Sequence, residues 1–227
     1  MMSRELVKLS ADGDVSIITL DDGKANVFSP LMTEAIEKLL DKVPVDKGSL
    51  LITGRSGIFS GGFDLKVMSS GDLEEINRMV KVGFNLLARI YSFPRPVVCA
   101  CSGHAIALGA FLLLCADYRL GARGDFMVGA NEIRNNMTVP EPILELSRAR
   151  INKNHWFRAI LNAEMYGPEQ AIDPGYLDET VNPENLMDSA LKKALDLANL
   201  DHPVYQITKE LDQAEVLNSI RSSINSM

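Results

Sequence analysis

The chain has 227 residues, 46% of them hydrophobic and 23% charged, with 23 basic residues against 30 acidic ones for a net charge of −7. That composition suits one globular core and excludes disorder, collagen and coiled coil, and the acidic balance leaves no basic footprint for nucleic acid or an anionic membrane. The apolar stretches at 96–101 and 105–116 fall short of the ~20 residues of a membrane span; no secretory leader precedes the first strand pattern and Asn225-Ser226-Met227 is no peroxisomal address, so a cytoplasmic protein is expected.

The β-branched run 15–20 follows the turn Ala11-Asp12-Gly13-Asp14 and an earlier strand at 6–9, which together predict a hairpin. Ser29-Pro30 supplies an N-cap and a proline at the first helical position, and Leu31, Ile36, Leu39 and Leu40 are expected on one face of a helix that ends before Pro44. Residues 49–53 form a short buried strand closed by Gly54. Asp72 caps a long helix in which Ile76, Met79, Val80, Phe84, Leu87 and Ile90 recur at helical spacing up to Phe93-Pro94. A strand at 96–101, a glycine-bearing loop at 102–108, an apolar helix at 109–115 and a strand at 118–121 follow. From Pro140 onward, successive helical segments are expected at 143–150, 155–161, 168–172 and 186–200.

Strand and helix alternate, so the predicted class is α/β. The sequence shows no repeat of fixed period and no linker, and the expected division is a core over 1–185 and a C-terminal helical region over 186–227. Cys99, Cys101 and Cys115 are odd in number and lie in apolar segments, which makes them reduced, buried small residues. No metal site is expected, because Cys99-x-Cys101 lacks partners and His104, His155 and His202 are scattered.

Two glycine-containing turns, 57–65 and 103–109, each follow a strand and open a helix, so each can present free backbone N–H groups. Two such groups aimed at one point would form an oxyanion hole, the second aided by the positive end of its helix. Neither turn carries a phosphate-cradling or dinucleotide-binding fingerprint. Ser60 and Ser102 lack the elbow and partners of a serine hydrolase.

Ile58-Phe59-Ser60-Gly61-Gly62-Phe63-Asp64-Leu65 together with Cys101-Ser102-Gly103-His104-Ala105 through Cys115-Ala116-Asp117-Tyr118-Arg119 resembles the crotonase (enoyl-CoA hydratase/isomerase) superfamily, and the likeness spans nearly the whole chain. It implies a spiral of ββα turns with a C-terminal helical trimerisation region. It also implies a coenzyme A thioester whose carbonyl oxygen lies between the backbone N–H groups of Phe63 and Leu108. Carried over by position, Lys24, Ala25, Gly61, Gly62, Asp64, Leu65, His104, Gly109 and Phe111 are expected to contact substrate. Coenzyme A would enter only as part of that substrate, with no separate cofactor and no metal.

Two departures from the family pattern stand out. Leu108 replaces a usual glycine at the second donor, which keeps the N–H and adds a side chain beside it. Phe111 stands where hydratases of the family carry the first of two catalytic glutamates. The second glutamate has its match in Met127-Val128-Gly129-Ala130-Asn131-Glu132, where the isomerases of the family carry their acid/base. Glu141, between two prolines, reads as an exposed helix start, His104 as pocket lining or structure, and Asp64 and Asp117 as turn residues.

Hydration of an enoyl thioester divides its proton transfers between two carboxylates, whereas shifting a double bond asks for one group that takes the C2 proton and returns it at C4. Glu132 alone therefore points to an enoyl-CoA isomerase-like enzyme acting on an acyl-CoA, with a hydratase or another crotonase reaction as the enzyme alternative. A non-catalytic acyl-CoA-binding protein is the alternative of another class. The resemblance further implies a homotrimer or dimer of trimers built through C-terminal helices that carry Leu186, Leu191, Leu195, Leu197, Val216, Leu217, Ile220 and Ile224, and a flexible flap at 68–73.

Overall fold

The structure, a computed structural model, describes residues 5–227. Met1–Arg4, on which the expectation of no secretory leader partly rests, lie outside the described residues. The hairpin forms as expected from β1 (Val7–Asp12) and β2 (Val15–Leu20), paired antiparallel. Ser29 caps α1 (Pro30–Leu40), its side chain accepting from Met32 N. The buried stripe of α1 is Met32, Ile36 and Leu40, while Leu31, expected inside, is 69% exposed. A spacing of four keeps three residues on one line, and Leu31 is set off from that line by one residue.

The chain then steps repeatedly between two sheets. β3 (Ser49–Thr53), β5 (Val97–Cys101) and β7 (Tyr118–Ala122) extend the first sheet in parallel from β2. β4 (Gly57–Ser60), β6 (Gly103–Ile106) and β8 (Val128–Gly129) form a second, small parallel sheet in the order β4-β6-β8. Between them lie α2 (Leu65–Met68) and α3 (Leu73–Tyr91), then α4 (Leu108–Cys115). Two strands followed by helix, repeated, make the ββα spiral that the family likeness implied. The segment 102–108, expected to be a loop, contains β6 instead. Gly103, His104 and Ala105 have little strand preference of their own, and the pairing with Gly57, Ile58 and Ser60 supplies it.

α5 (Glu141–Arg150) follows, then a π-helical turn at Phe157–Leu161. Residues 168–172 form consecutive turns rather than the expected helix, because Pro174 and Gly175, at φ 93°, stop propagation. β9 (Glu179–Val181) completes the first sheet beside β7, and α6 (Leu186–Ala198) and α7 (His202–Asn225) end the chain.

β3 and β5 are buried on both faces, as a covered parallel sheet requires. Leu50, Ile52, Val97, Cys99 and Cys101 face the main core, and Leu51, Val98 and Ala100 face a second layer that α6 closes with Leu186, Ala190 and Ala194. All three cysteines are free and buried. The apolar residues expected to exceed the needs of the C-terminal helices pack on the chain's own cores. The exposed apolar side chains of that region are Met187, Leu200, Val204, Ile207, Leu211 and Met227. α7 is tied down by Lys209, whose Nζ lies 2.7 Å from Asp117 Oδ2, and that carboxylate also accepts from Val97 N at 2.8 Å. Among the described residues no helix is long and apolar enough to cross a membrane.

Candidate active site

The C-terminal ends of β4, β6 and β8 converge on one cavity of about 300 Å³. After β4 the chain turns through Gly61 and Gly62 to Phe63. A Cβ on Gly62 would lie 2.9 Å from Ala107 Cβ, 3.0 Å from Ile106 O and 3.3 Å from Leu108 N, and Gly62 has φ 89°. Only glycine lets the two turns meet this closely. Phe63 and Leu108 thus share the cavity wall, and neither amide finds a protein acceptor among the described residues.

The second turn is built to leave that amide free. Ala107 sits at the N-cap of α4 with φ 52° and ψ −123°, a conformation that costs an L-residue of order 1–3 kcal/mol, and it offers no side-chain cap. Its carbonyl accepts from Ala110 and Phe111, while Leu108, the first residue of the helix, is an orphan donor at the positive end of a wholly buried helix. Gly109 is packed so closely against Ser60 that a Cβ there would lie 2.9 Å from the serine Cβ, which locks the helix start to β4.

Glu132 enters from the third strand. β8 is held by β6 and by reciprocal bonds between Val128 and Tyr166 of 2.8 and 3.0 Å. Asn135 N and Met137 N both donate to Glu132 O at 2.9 Å, pinning its backbone. The carboxyl is 9% exposed, faces the cavity, and its Oε2 has no hydrogen-bond partner among the described residues. Burial pushes it up to about 6, against the opposing pull of its own amide and that of Asn131. A carboxyl poised near neutrality can both take and return a proton.

Of the other expected contacts, Gly61, Leu65 and Phe111 line the cavity, with Leu65 69% exposed at its lip and Phe111 buried in its depth. Gly62 and Gly109 lie behind the wall as the backbone that shapes it. Asp64 caps α2 by accepting from Lys66 N at 2.9 Å. His104 is off the wall: its Nδ1 accepts from Met127 N at 3.1 Å and its ring stands edge-on to Phe126. Lys24 is exposed and Ala25 half-buried on the loop before α1, where Ala25 O accepts from Gly61 N at 2.8 Å. Glu141 is exposed and does not reach the cavity.

Sequence reasoning missed Asn26. Fully buried at φ 50°, it donates to Leu20 O and Phe59 O, and its own carbonyl accepts from Ser60 Oγ at 2.8 Å, so it fastens the first turn to the hairpin. An asparagine in a turn was the available signal. It also missed the far wall, Asn131, Met137, Thr138 and Pro140, which come from a stretch without periodicity, and Ile143 from the first turn of α5.

The family model for enoyl-CoA hydratase/isomerase matches residues 10–223. The chain belongs to that family. A solved enoyl-CoA hydratase/isomerase family protein from Pseudomonas syringae is 39% identical and superposes with a TM-score of 0.94 over 98% of this chain and 96% of its own. A Mycobacterium tuberculosis protein, described once as an enoyl-CoA isomerase and once as a probable enoyl-CoA hydratase, is 36–37% identical over 97% of this chain and 93–96% of its own, with TM-scores of 0.92 and 0.93. Enoyl-CoA delta isomerase 3 of Arabidopsis thaliana is 29% identical over 181 residues, 77% of this chain and 76% of that protein. Relatives bearing isomerase and hydratase names both occur, so the reaction has to be argued from the residues of the cavity.

Proposed function

We propose that this member of the enoyl-CoA hydratase/isomerase family is an isomerase that moves a double bond between the β,γ and α,β positions of an enoyl-CoA. The observation that carries the reading is Glu132, the one carboxylate among the described residues on the wall of the cavity, with the buried Phe111 ring where a second would stand. The Glu132 carboxylate takes the C2 proton, the electron pair moves onto the thioester oxygen as an enolate, and the same carboxyl returns the proton at C4. The enolate oxygen is received by the free amides of Phe63 and Leu108. A single donor in such a hole is worth about 2.7–4 kcal/mol of transition-state stabilisation. Hydration lacks the second carboxylate it divides its work with. Coenzyme A enters as part of the substrate, and the steps call for neither a redox cofactor nor a metal.

The test is to incubate the protein with 3-enoyl-, 2-enoyl- and 3-oxoacyl-CoA and follow products by mass spectrometry. Conversion of the 3-enoyl to the 2-enoyl ester supports the reading; faster water addition to the 2-enoyl ester refutes it. Tight acyl-CoA binding with no turnover would favour a binding protein, a reading that the Leu108 side chain beside the amide also supports. A homotrimer fits the exposed stripe Val204, Ile207 and Leu211 on α7, and sedimentation showing only monomer at micromolar concentration would refute it. Three buried, unpaired cysteines suit a reducing, cytoplasmic setting.

A further inference from the structure

The cavity has a graded depth. Leu65, Asn135 and Thr138 at one end are exposed, whereas Phe84, Phe111 and Ile143 at the other are nearly or wholly buried. Beyond Phe84 and Ile143 lies a second void of about 10 Å³, lined by Leu87, Ala88, Leu146 and Ile220 in the seam between α3, α5 and α7. The same two side chains wall both spaces. Val80, Phe84 and Leu87 follow one another at helical spacing, so one face of α3 runs from the cavity into the seam. The void is about the smallest that holds a water and is almost wholly apolar, with Tyr91 among its lining, so it is slack in the packing behind the wall.

We propose that Phe84, backed by Ile143, is the stop that sets the acyl-chain length this site accepts. The inference rests on the acyl-thioester reading above. Phe84 is 2% exposed and meets the Phe63 ring edge-on at 5.8 Å, and Phe63 in turn packs on Gly83, where a Cβ would lie 2.5 Å from Phe63 Cε1. The missing side chain at Gly83 therefore fixes how far the Phe63 ring stands back from the cavity. Truncating Phe84 removes a ring and joins the cavity to the seam; adding a methyl at Gly83 pushes the Phe63 ring inward. The two changes should move the length limit in opposite directions.

The experiment is calorimetric titration with straight saturated acyl-CoAs from butyryl to palmitoyl, which bind without being turned over. For the wild type, affinity should rise roughly fourfold per added carbon up to a limiting length and stop rising beyond it. In Phe84→Ala the limit should move outward by about two to three carbons, allowing for partial collapse of the space, and the ester two carbons longer than the wild-type limit should gain at least about tenfold relative to the ester at that limit. Phe84→Leu, the milder change, should move it outward by about one carbon, and Gly83→Ala should move it inward. A limit unmoved in both Phe84 variants, or no limit through palmitoyl in the wild type, overturns the assignment of the stop and leaves the acyl-thioester reading standing. Absence of acyl-CoA binding at every length in the wild type overturns that reading and this assignment with it.

Discussion

Replacing Glu132 with glutamine separates two consequences of one buried carboxyl. Burial pushes its pKa from 4.5 up to about 6, which corresponds to about 2 kcal/mol spent on keeping the charged form in the folded protein. The folded state holds the proton more tightly than the unfolded state, so the folded protein is relatively more stable below 4.5 and loses that advantage as pH rises through about 6. Glutamine carries no charge at any pH and copies the protonated acid. Glu132→Gln should therefore be more stable than the wild type by about 2 kcal/mol at pH 8, a rise in Tm of about 4–8 °C for a chain of this size, and indistinguishable from it at pH 4. Turnover of 3-enoyl-CoA should fall by about 10²–10⁴-fold or more at pH 8, while acyl-CoA affinity, which rests on backbone donors, changes little. Wild-type kcat/KM should lose about tenfold per unit below pH 6 as the base is protonated. Thermal melts of both proteins across this range, alongside the pH–rate profile, check the argument. An equal change in Tm at pH 4 and pH 8 would refute the burial account, and an unchanged kcat would remove Glu132 from the chemistry.

Gly62→Ala places a methyl against Ala107 and Ile106 O at a left-handed backbone position; it should cost about 1–3 kcal/mol in chemical denaturation and lower kcat more than it raises KM, because it separates the two amides. Phe111→Glu buries a second carboxyl in the cavity; stability should fall by about 2–5 kcal/mol near neutral pH, and slow hydration of 2-enoyl-CoA should become measurable by mass spectrometry. Asp117→Ala strands the buried Lys209 ammonium, already held below its ordinary pKa chiefly by burial, and should destabilise by about 3–5 kcal/mol in urea unfolding, more than Lys209→Met does. The exposed residues 69–72 between α2 and α3 should exchange their amide hydrogens within seconds in the ligand-free protein; high protection there would refute the flap.

Much of this site is written in short local signals. Gly61-Gly62-Phe63 and Ala107-Leu108-Gly109 are turn chemistry, so residue types marked both turns as places for free amides, and the family likeness singled out Phe63 and Leu108 as the donors. Glu132 was legible as a residue in a motif but not as a buried one, since what desolvates it comes from the tertiary packing around it. The small sheet was hidden for a related reason. Strands of four, four and two residues, rich in glycine and alanine, carry no alternation, and only pairing with one another makes them strands. Long elements behaved differently: the 19-residue α3 was predicted with its cap because its apolar positions repeat often enough to outvote any single residue. Leu31 shows the limit of that method, since a near-miss in phase places a hydrophobic residue in water.

The small parallel sheet has a consequence for how chemistry can change on this fold. Its first two strands deliver Phe63 and Leu108, and its third delivers Glu132, so in the proposed reading the grip on the thioester and the choice of proton shuttle are inherited on separate stretches of chain. A lineage could rewrite residues 130–138 and acquire a different proton chemistry while its hold on the carbonyl oxygen stayed intact, because neither amide depends on that segment for its geometry. Alteration of either earlier turn would weaken every such chemistry at once. Mutational tolerance should therefore be uneven across the three strand ends, strict at the first two and permissive at the third. Two relatives could then share their grip on the substrate completely and still differ in what they make of it.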